Sequence, residues 1–163
     1  MRLVSKASLS ASYDAEELGF DVFETGVLAV ARHLFLSFVV PERQSWQTAF
    51  GIAVERWGAN VVLPVAYAVL KLVRALDEAR DDFAFHDPAC LEMRDRVTDD
   101  EALMMQMLHH MRRDETPDAR DAVEALTHGQ MDPDVIRYGL TLAMRFGRGA
   151  RVPTSRPALR VVS

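Results

Sequence analysis

Four side chains of this sequence are candidates for binding a transition metal: His86, Cys90, His109 and His110. Zinc is held by thiolate, imidazole and carboxylate groups, usually four of them in a structural site. His86 and Cys90 would meet one of the two neighbouring histidines only if the segment "FAFHDPACLEM" folds back onto the helix that carries them. Adjacent side chains on a helix point about 100° apart, so only one of those two histidines would face the segment.

Pro88 argues against a metal site in this segment. It prevents the helical turn that would bring His86 and Cys90 onto one face, and a fourth ligand has to come from Asp87 or Glu92. Free cysteine otherwise packs as a small apolar residue. We therefore expect a structural Cys90, no tightly bound metal and no cofactor. Metal or redox sensing through the four candidate side chains is the alternative.

The sequence carries no local signature of catalysis. It has no phosphate-binding glycine loop, no serine–histidine arrangement with a recognisable local pattern, and no paired helical carboxylates at metal-ligand spacing. Acidic strings such as "ARDD" and "TDDE" are explained by helix capping and hydration. We therefore expect a protein that is not an enzyme.

A methionine-rich helix over about 101–113, "EALMMQMLHHMRR", is a candidate surface for binding another protein. Methionine is flexible and polarizable, and it is over-used on surfaces that accept varied partners. Two interpretations stay open. The helix either belongs to the core, or forms a groove in which Met104, Met107 and Met111 bind a partner.

Charge is divided unevenly along the chain. The net charge is −5, yet residues 77–135 hold 17 acidic and 6 basic side chains, whereas residues 136–163 hold six arginines and no acid. Arginine can bind a carboxylate through two parallel hydrogen bonds. The arginines expected to dock onto a carboxylate-rich partner surface are Arg145, Arg148, Arg151, Arg156 and Arg160. That surface belongs to this chain, to a second copy or to another protein, and nucleic acid is the rival target.

The last two predicted helices also fit the order of a helix-turn-helix motif. The second helix would begin "DPDVIRY" and bring Asp132 and Asp134 towards DNA phosphates, which their negative charge opposes. A packed helical hairpin is therefore the expected structure. A nucleic-acid-associated regulator would act through the arginine-rich tail instead.

Helical periodicity and capping patterns predict six helices, the first beginning at Asp14 or Asp21. The first helix is predicted to end at about residue 40. The other five are predicted over about 44–57, 61–79, 98–113, 116–129 and 132–147. No alternating pattern of apolar and polar residues predicts a β-strand. Residues from about 80 to 97 have no clear periodicity and are predicted to form an irregular central loop. The sequence thus predicts an all-α fold, with one compact helical domain over 1–147 and a basic C-terminal tail over 148–163.

Local signals specify several ends and faces of these helices. The string "TDDE" is a capping box that starts the fourth helix at Thr98. Asn60 can cap the third helix, which leaves Pro64 in the first turn, where no backbone donor is needed. The second helix has apolar side chains at steps of three and four, which predicts that Phe50 and Trp57 lie on its buried face.

Two apolar segments, 20–40 and 61–73, are candidates for membrane-spanning helices. The first contains four polar ionisable residues, and an arginine such as Arg32 near the middle of a span costs roughly 2.5–3.5 kcal/mol. The second is short for a span, so both are expected to be buried core helices. One cysteine cannot form an intramolecular disulfide, and the N-terminus has no secretory pattern, which favours the cytoplasm.

Charge, composition and the methionine-rich helix together favour a small accessory or regulatory subunit that binds another protein or itself. Its acidic body and basic tail would provide the contacts. Metal or redox sensing and nucleic-acid association are the alternatives that the sequence leaves open.

Overall fold

The chain folds around six helices over the described residues, which confirms the predicted all-α class. The structure is a computed structural model, and it describes residues 1–4 and 12–147. The helices are α1 Val22–Val39, α2 Trp46–Trp57, α3 Ala59–Ala79, α4 Asp99–Met111, α5 Thr116–Leu126 and α6 Pro133–Arg145. Two single 3₁₀ turns of this part of the chain lie at Pro41–Arg43 and Leu91–Met93. The predicted tail, 148–163, lies outside the described residues.

Four three-residue strands accompany the helices in the described ranges and were not predicted. They are β1 Arg2–Val4, β2 Ser12–Asp14, β3 Ala84–His86 and β4 Arg96–Thr98. β1 pairs in parallel with β3, and β2 pairs antiparallel with β4. The Thr98 hydroxyl donates to the Ala84 carbonyl at 2.8 Å and links the two pairs. The expected irregular loop over 80–97 is therefore partly ordered by backbone pairing with the N-terminal segment.

The core is centred where α1 and α3 meet, because these two helices carry more of the buried apolar side chains than any other pair of helices. α1 packs against α2, α3 and α4, while α3 also packs against α6 and α4 against α5. The ring of Phe35 in α1 lies 4.8 Å from that of Phe83 and 5.3 Å from that of Phe85. These aromatic contacts attach the segment before α4 to the centre of the molecule.

Two capping boxes start the helices that later form the charged interior. Asp21 and Glu24 exchange backbone and side-chain hydrogen bonds at the start of α1. Thr98 and Glu101 do the same at the start of α4, as predicted. The predicted cap of α3 is wrong, because the helix already begins at Ala59 and has no side-chain cap from the described residues.

Pro64 consequently lies beyond the first turn of α3, inside the helix. A proline there removes the hydrogen bond to the carbonyl four residues earlier, on Asn60. Both Asn60 and Pro64 are exposed, so water can reach the carbonyl that lacks its helical partner. Solvent exposure rather than first-turn geometry makes this proline tolerable.

α2 buries a narrower stripe than predicted. Ala49, Ala53 and Trp57 are buried, which confirms the placement of Trp57, while Phe50 is only partly buried. Trp46 and Val54, which belong to the same apolar pattern, are exposed. The spacing of four places the three buried residues on one face of α2, which packs against α1 and α3.

Two helices of the described chain meet the length and composition test for a membrane span. The windows in Val22–Val39 and Ala59–Ala79 have mean hydropathies of 1.5 and 1.6, and 56% and 50% of them are buried inside the molecule. Core helices of soluble proteins pass the same test, so length and composition assign neither helix to a membrane. The expected cytoplasmic location stays a prediction.

Candidate functional site

An open pocket of about 290 Å³ lies at the corner where α4 ends, α5 begins and α6 crosses them. The apolar residues that line it are Met111, Ala119, Val123, Met131, Ile136 and Leu140. The polar residues that line it are His110, Asp114, Glu115, Thr116 and Arg120. A concave apolar surface with a few convergent polar groups is the usual composition of a binding site.

The turn between α4 and α5 places the polar side of this pocket. Asp114 adopts a left-handed conformation with φ of 58°, which aspartate tolerates better than most residues. The Glu115 amide donates to the His110 carbonyl at 3.0 Å. Its carboxylate lies 2.7 Å from Nδ1 of His110, and this hydrogen bond lowers the pKa of Glu115 below its ordinary value. The turn thus presents an imidazole and a carboxylate together.

Asp118, in the first turn of α5, completes a group of three metal-binding side chains. One ligand atom from each of His110, Glu115 and Asp118 can be chosen so that all three lie within 4.8 Å of one another. In the part of the chain that the structure describes, this is the one such group of histidine, cysteine and acidic residues. In the sequence these residues are spread over two helices and the turn between them. Their spacing matches no recognised metal-binding motif, so the sequence does not predict them as a group.

The metal ligands considered from the sequence are not brought together. His86 lies in β3, and Cys90 follows it in a turn where its amide donates to the Asp87 carbonyl. His109 turns towards Glu24, with 3.0 Å between Nδ1 and the carboxylate. Of the four candidates, only His110 belongs to the three-residue group in the described part of the chain. No such group in the described part of the chain contains His86 or Cys90. Metal or redox sensing through these residues stays a prediction.

His86 is buried, and neither of its ring nitrogens has a hydrogen-bond partner among the described residues. Burial lowers the pKa of His86 below its ordinary value. The negative charge of Glu101 opposes this change, and the positive charges of Arg32 and Arg96 add to it. The neutral imidazole is therefore the favoured form in the folded protein.

The methionine-rich helix is mainly a core helix. Met104 and Met107 are 1% and 0% exposed, so a partner cannot reach them in this structure. Since α4 is covered by α1, α5 and α6, the burial of these two residues favours the core interpretation of the helix. Met111 is partly buried and lines the pocket. Its role in partner binding stays a prediction.

The predicted docking arginines lie almost entirely beyond the described part of the chain. Arg145 is exposed and is the last residue of α6. The others, Arg148, Arg151, Arg156 and Arg160, fall in 148–163, outside the described residues. α5 and α6 form the two helices considered for a helix-turn-helix, and Asp132 caps α6 by accepting from the Asp134 and Val135 amides.

A buried charged cluster joins the start of α1 to the end of α4. Glu24 is fully buried and accepts from Nη1 of Arg112 and Nη1 of Arg113, each at 2.6 Å. Arg112 also donates to Asp21 at 2.7 Å. Burial alone would raise the pKa of Glu24, but hydrogen bonds from Arg113, the Asp21 amide and His109, with the charge of Arg112, lower it. The carboxylate therefore stays ionised and holds the two helices in place.

A second buried pair orders the segment before α4. Arg32 donates to both oxygens of Glu101, from Nε at 2.7 Å and from Nη2 at 2.8 Å. It also donates to three backbone carbonyls between Met93 and Arg96. Glu101 accepts in addition from the His86 amide at 3.2 Å. Each buried charge is thus surrounded by partners, as a buried charge requires. This pair explains why Arg32 lies inside an apolar helix.

Both charged clusters are saturated by the protein's own groups, whereas the α4–α5–α6 pocket is open at the surface. The pocket is therefore the better candidate for binding. Comparison with known proteins finds no matching family model, no similar curated protein and no similar solved structure.

Proposed function

We propose that this protein is a small accessory subunit that binds another protein, or a second copy of itself, through the face around the α4–α5–α6 pocket. The observation that carries the proposal is the pocket itself, with its apolar lining and its polar groups on one side. The proposed role is binding rather than catalysis. No enzymatic activity is assigned to the pocket.

The size of the pocket suits one anchoring side chain of a partner. Pockets for drug-sized ligands span roughly 300–1,000 Å³, and the volume of about 290 Å³ lies just below that range. Protein interfaces gain most of their affinity from a few apolar side chains that fill such pockets. A short peptide segment with one large apolar residue is the occupant that fits.

The charge around the pocket indicates which residues a partner segment should contain. The segment 114–124, which contains the polar edge of the pocket and most of α5, holds five carboxylates and one arginine. Complementary charge steers association and fixes the orientation of a partner. The favoured partner segment therefore has lysine or arginine on either side of its apolar anchor.

The chain itself carries such a segment. Residues 148–163, "RGARVPTSRPALRVVS", combine four arginines with three valines and one leucine. Nε of Arg112 donates to the Phe146 carbonyl at 2.7 Å, so α6 ends beside the helix that carries His110. Self-association through the tail and docking of a similar basic segment from another protein are two forms of the same proposal.

Binding of a labelled peptide with the sequence of 148–163 tests this function. Fluorescence anisotropy should show saturable binding to the protein truncated after Gly147, once circular dichroism shows that this protein is folded. Leu140→Glu should abolish the binding, because Leu140 lines the pocket and a carboxylate there removes an apolar contact. Leu63→Glu is the matched control, since Leu63 is also an exposed leucine and does not line the pocket.

A peptide with its four arginines replaced by glutamine controls for charge, and it should bind weakly. Equal binding of the Leu140→Glu and Leu63→Glu proteins would show that the pocket is not the contact. The absence of any saturable binding would contradict the role proposed for the tail.

A further inference from the structure

We propose that His110, Glu115 and Asp118 form a binding site for a divalent first-row transition-metal ion of the Zn²⁺ type. This inference goes beyond the proposed partner binding and does not depend on it. It rests on the convergence of three donors of suitable chemistry from two helices and the turn between them, and on the open pocket beside them.

The donor atoms are close enough to share one ion. A ligand atom from each residue lies within 4.8 Å of the other two. Zinc binds imidazole nitrogen and carboxylate oxygen at roughly 2.0–2.2 Å, which separates ligand atoms by about 3.4 Å in a tetrahedral arrangement. Glu115 and Asp118 are exposed, so rotation of their side chains can close the remaining difference without moving the helices.

The hydrogen bond between His110 and Glu115 prepares two of the ligands. Their Nδ1 and Oε2 atoms lie 2.7 Å apart, and the contact lowers the pKa of the Glu115 carboxyl. A metal ion that binds both side chains takes the place of the shared proton, which is released to solvent.

The electrostatic surroundings favour a cation. Asp114 adjoins the site, and Asp121 and Glu124 follow it along α5. Arg120 is the single basic residue between 114 and 124. The excess of carboxylates lowers the energy of a divalent ion at this corner.

The donor set selects a class of metal. One imidazole with two carboxylates suits Zn²⁺, Co²⁺ and their neighbours, whereas Ca²⁺ and Mg²⁺ prefer ligand sets made of oxygen alone. Three protein ligands leave a coordination position open, as in zinc sites that bind a further group. His110 and Glu115 both line the pocket, so the open position would be accessible to a water molecule or to a donor atom brought by a ligand in the pocket.

Two neighbouring residues provide matched controls. His109 adjoins His110 in sequence, but its Nδ1 lies 3.0 Å from the buried carboxylate of Glu24. Asp121 is an exposed aspartate one turn beyond Asp118 on α5 and is not part of the three-residue group. His109→Gln and Asp121→Asn therefore change the same residue types close to the site without removing a ligand.

The test is titration of the full chain, prepared without a histidine tag and stripped of metal, with Zn²⁺ by calorimetry and with Co²⁺ by visible absorption. One ion per chain is expected, with an absorption band typical of nitrogen and oxygen coordination. His110→Gln keeps a hydrogen-bond donor for Glu115 but removes the imidazole, and Asp118→Asn removes an exposed carboxylate. Each should weaken Zn²⁺ binding at least about tenfold, whereas His109→Gln and Asp121→Asn, which remove no ligand, should weaken it much less.

Zn²⁺ should also raise the melting temperature of the wild type more than that of Asp118→Asn, because a ligand that binds the folded state stabilises it. Asp118 is exposed, so this variant stays informative if His110→Gln is poorly folded. The proposal is overturned if the wild type shows no saturable Zn²⁺ binding, or if the control variants lose as much affinity as the ligand variants. Both measurements use the protein without a partner, so they do not depend on peptide binding.

Discussion

At the scale of single residues, His86 stands apart from the other buried polar groups. Glu24 and Glu101 are surrounded by hydrogen-bond donors, whereas both ring nitrogens of His86 lack a partner in the part of the chain that the structure describes. A buried polar group without a partner reduces stability, and charging it reduces stability further. His86 is therefore a point at which the free energy of unfolding depends on pH.

We predict that the free energy of unfolding decreases as pH falls below about 6.5, the ordinary pKa of histidine. The pKa of His86 is lowered in the folded state, so the unfolded chain binds the proton more readily. The stability contributed by the neutral imidazole is present above the unfolded-state pKa and is lost as pH falls towards the folded-state pKa. His33 acts in the same direction, because burial lowers its pKa as well.

Urea unfolding at a series of pH values measures this effect. His86→Leu should make the decrease between about pH 6.5 and 5 smaller, and His128→Asn, which changes an exposed histidine, should leave it unchanged. Glu24 has a lowered pKa and contributes only at more acidic pH, so it does not obscure this interval. An identical pH profile for wild type and His86→Leu would contradict the assignment.

At the scale of elements, the close approach of α1 and α2 depends on a glycine. A Cβ atom at Gly26 would lie 2.9 Å from Cζ2 of Trp57 and 3.2 Å from Cδ of Arg56. Trp57 is buried, so its ring has little room to move away. The absence of a side chain at Gly26 allows the indole ring to pack directly against the α1 backbone.

We predict that Gly26→Ala destabilises the protein by about 1–3 kcal/mol, the usual effect of overpacking a core contact. Gly51→Ala provides the control, because Gly51 is an exposed glycine inside α2, and a Cβ atom there would meet no described neighbour within 4 Å. That substitution should stabilise the helix by about 0.5–1 kcal/mol. Chemical unfolding followed by tryptophan fluorescence distinguishes the two, and a neutral or stabilising Gly26→Ala would show that α1 and α2 are less closely packed.

At the scale of the whole molecule, the boundary between body and tail can be located by truncation. Phe146 is buried, and its ring lies 5.2 Å from that of Phe23. Its carbonyl accepts from Nε of Arg112. Phe146 therefore belongs to the folded body, although α6 ends at Arg145.

We predict that a protein ending at Gly147 keeps the helical content and the melting temperature of the full chain. A protein ending at Arg145 should lose about 1.5–3 kcal/mol of stability, because it lacks the buried Phe146 side chain. Thermal unfolding followed by circular dichroism compares the two. A large loss of stability in the longer protein would show that residues 148–163 are part of the core.

The helices and many of their ends are predictable from the amino-acid sequence alone. Apolar side chains at steps of three and four, and the capping residues Thr98 and Asp132, act over a single turn, so they can be read directly from the chain. The buried position of Trp57 followed from the same periodicity. Three-residue strands are too short to show alternation, and β3 and β4 pair with a distant N-terminal segment, so their existence depended on the tertiary structure.

Contacts between polar residues that are distant in sequence depend on the tertiary structure. Glu24 and Arg112 lie far apart in the sequence, and His110 and Glu115 lie on opposite sides of a turn, so no helical spacing relates the members of either pair. Tertiary packing buried Met104 and Met107 and left Met111 at the edge of the pocket. It separated His86 and Cys90 from His110 and gave His110 two carboxylates as neighbours instead. Periodicity and capping are local interactions along one helix, whereas a binding site is formed by the packing of several helices, whose relative positions depend on the whole buried core.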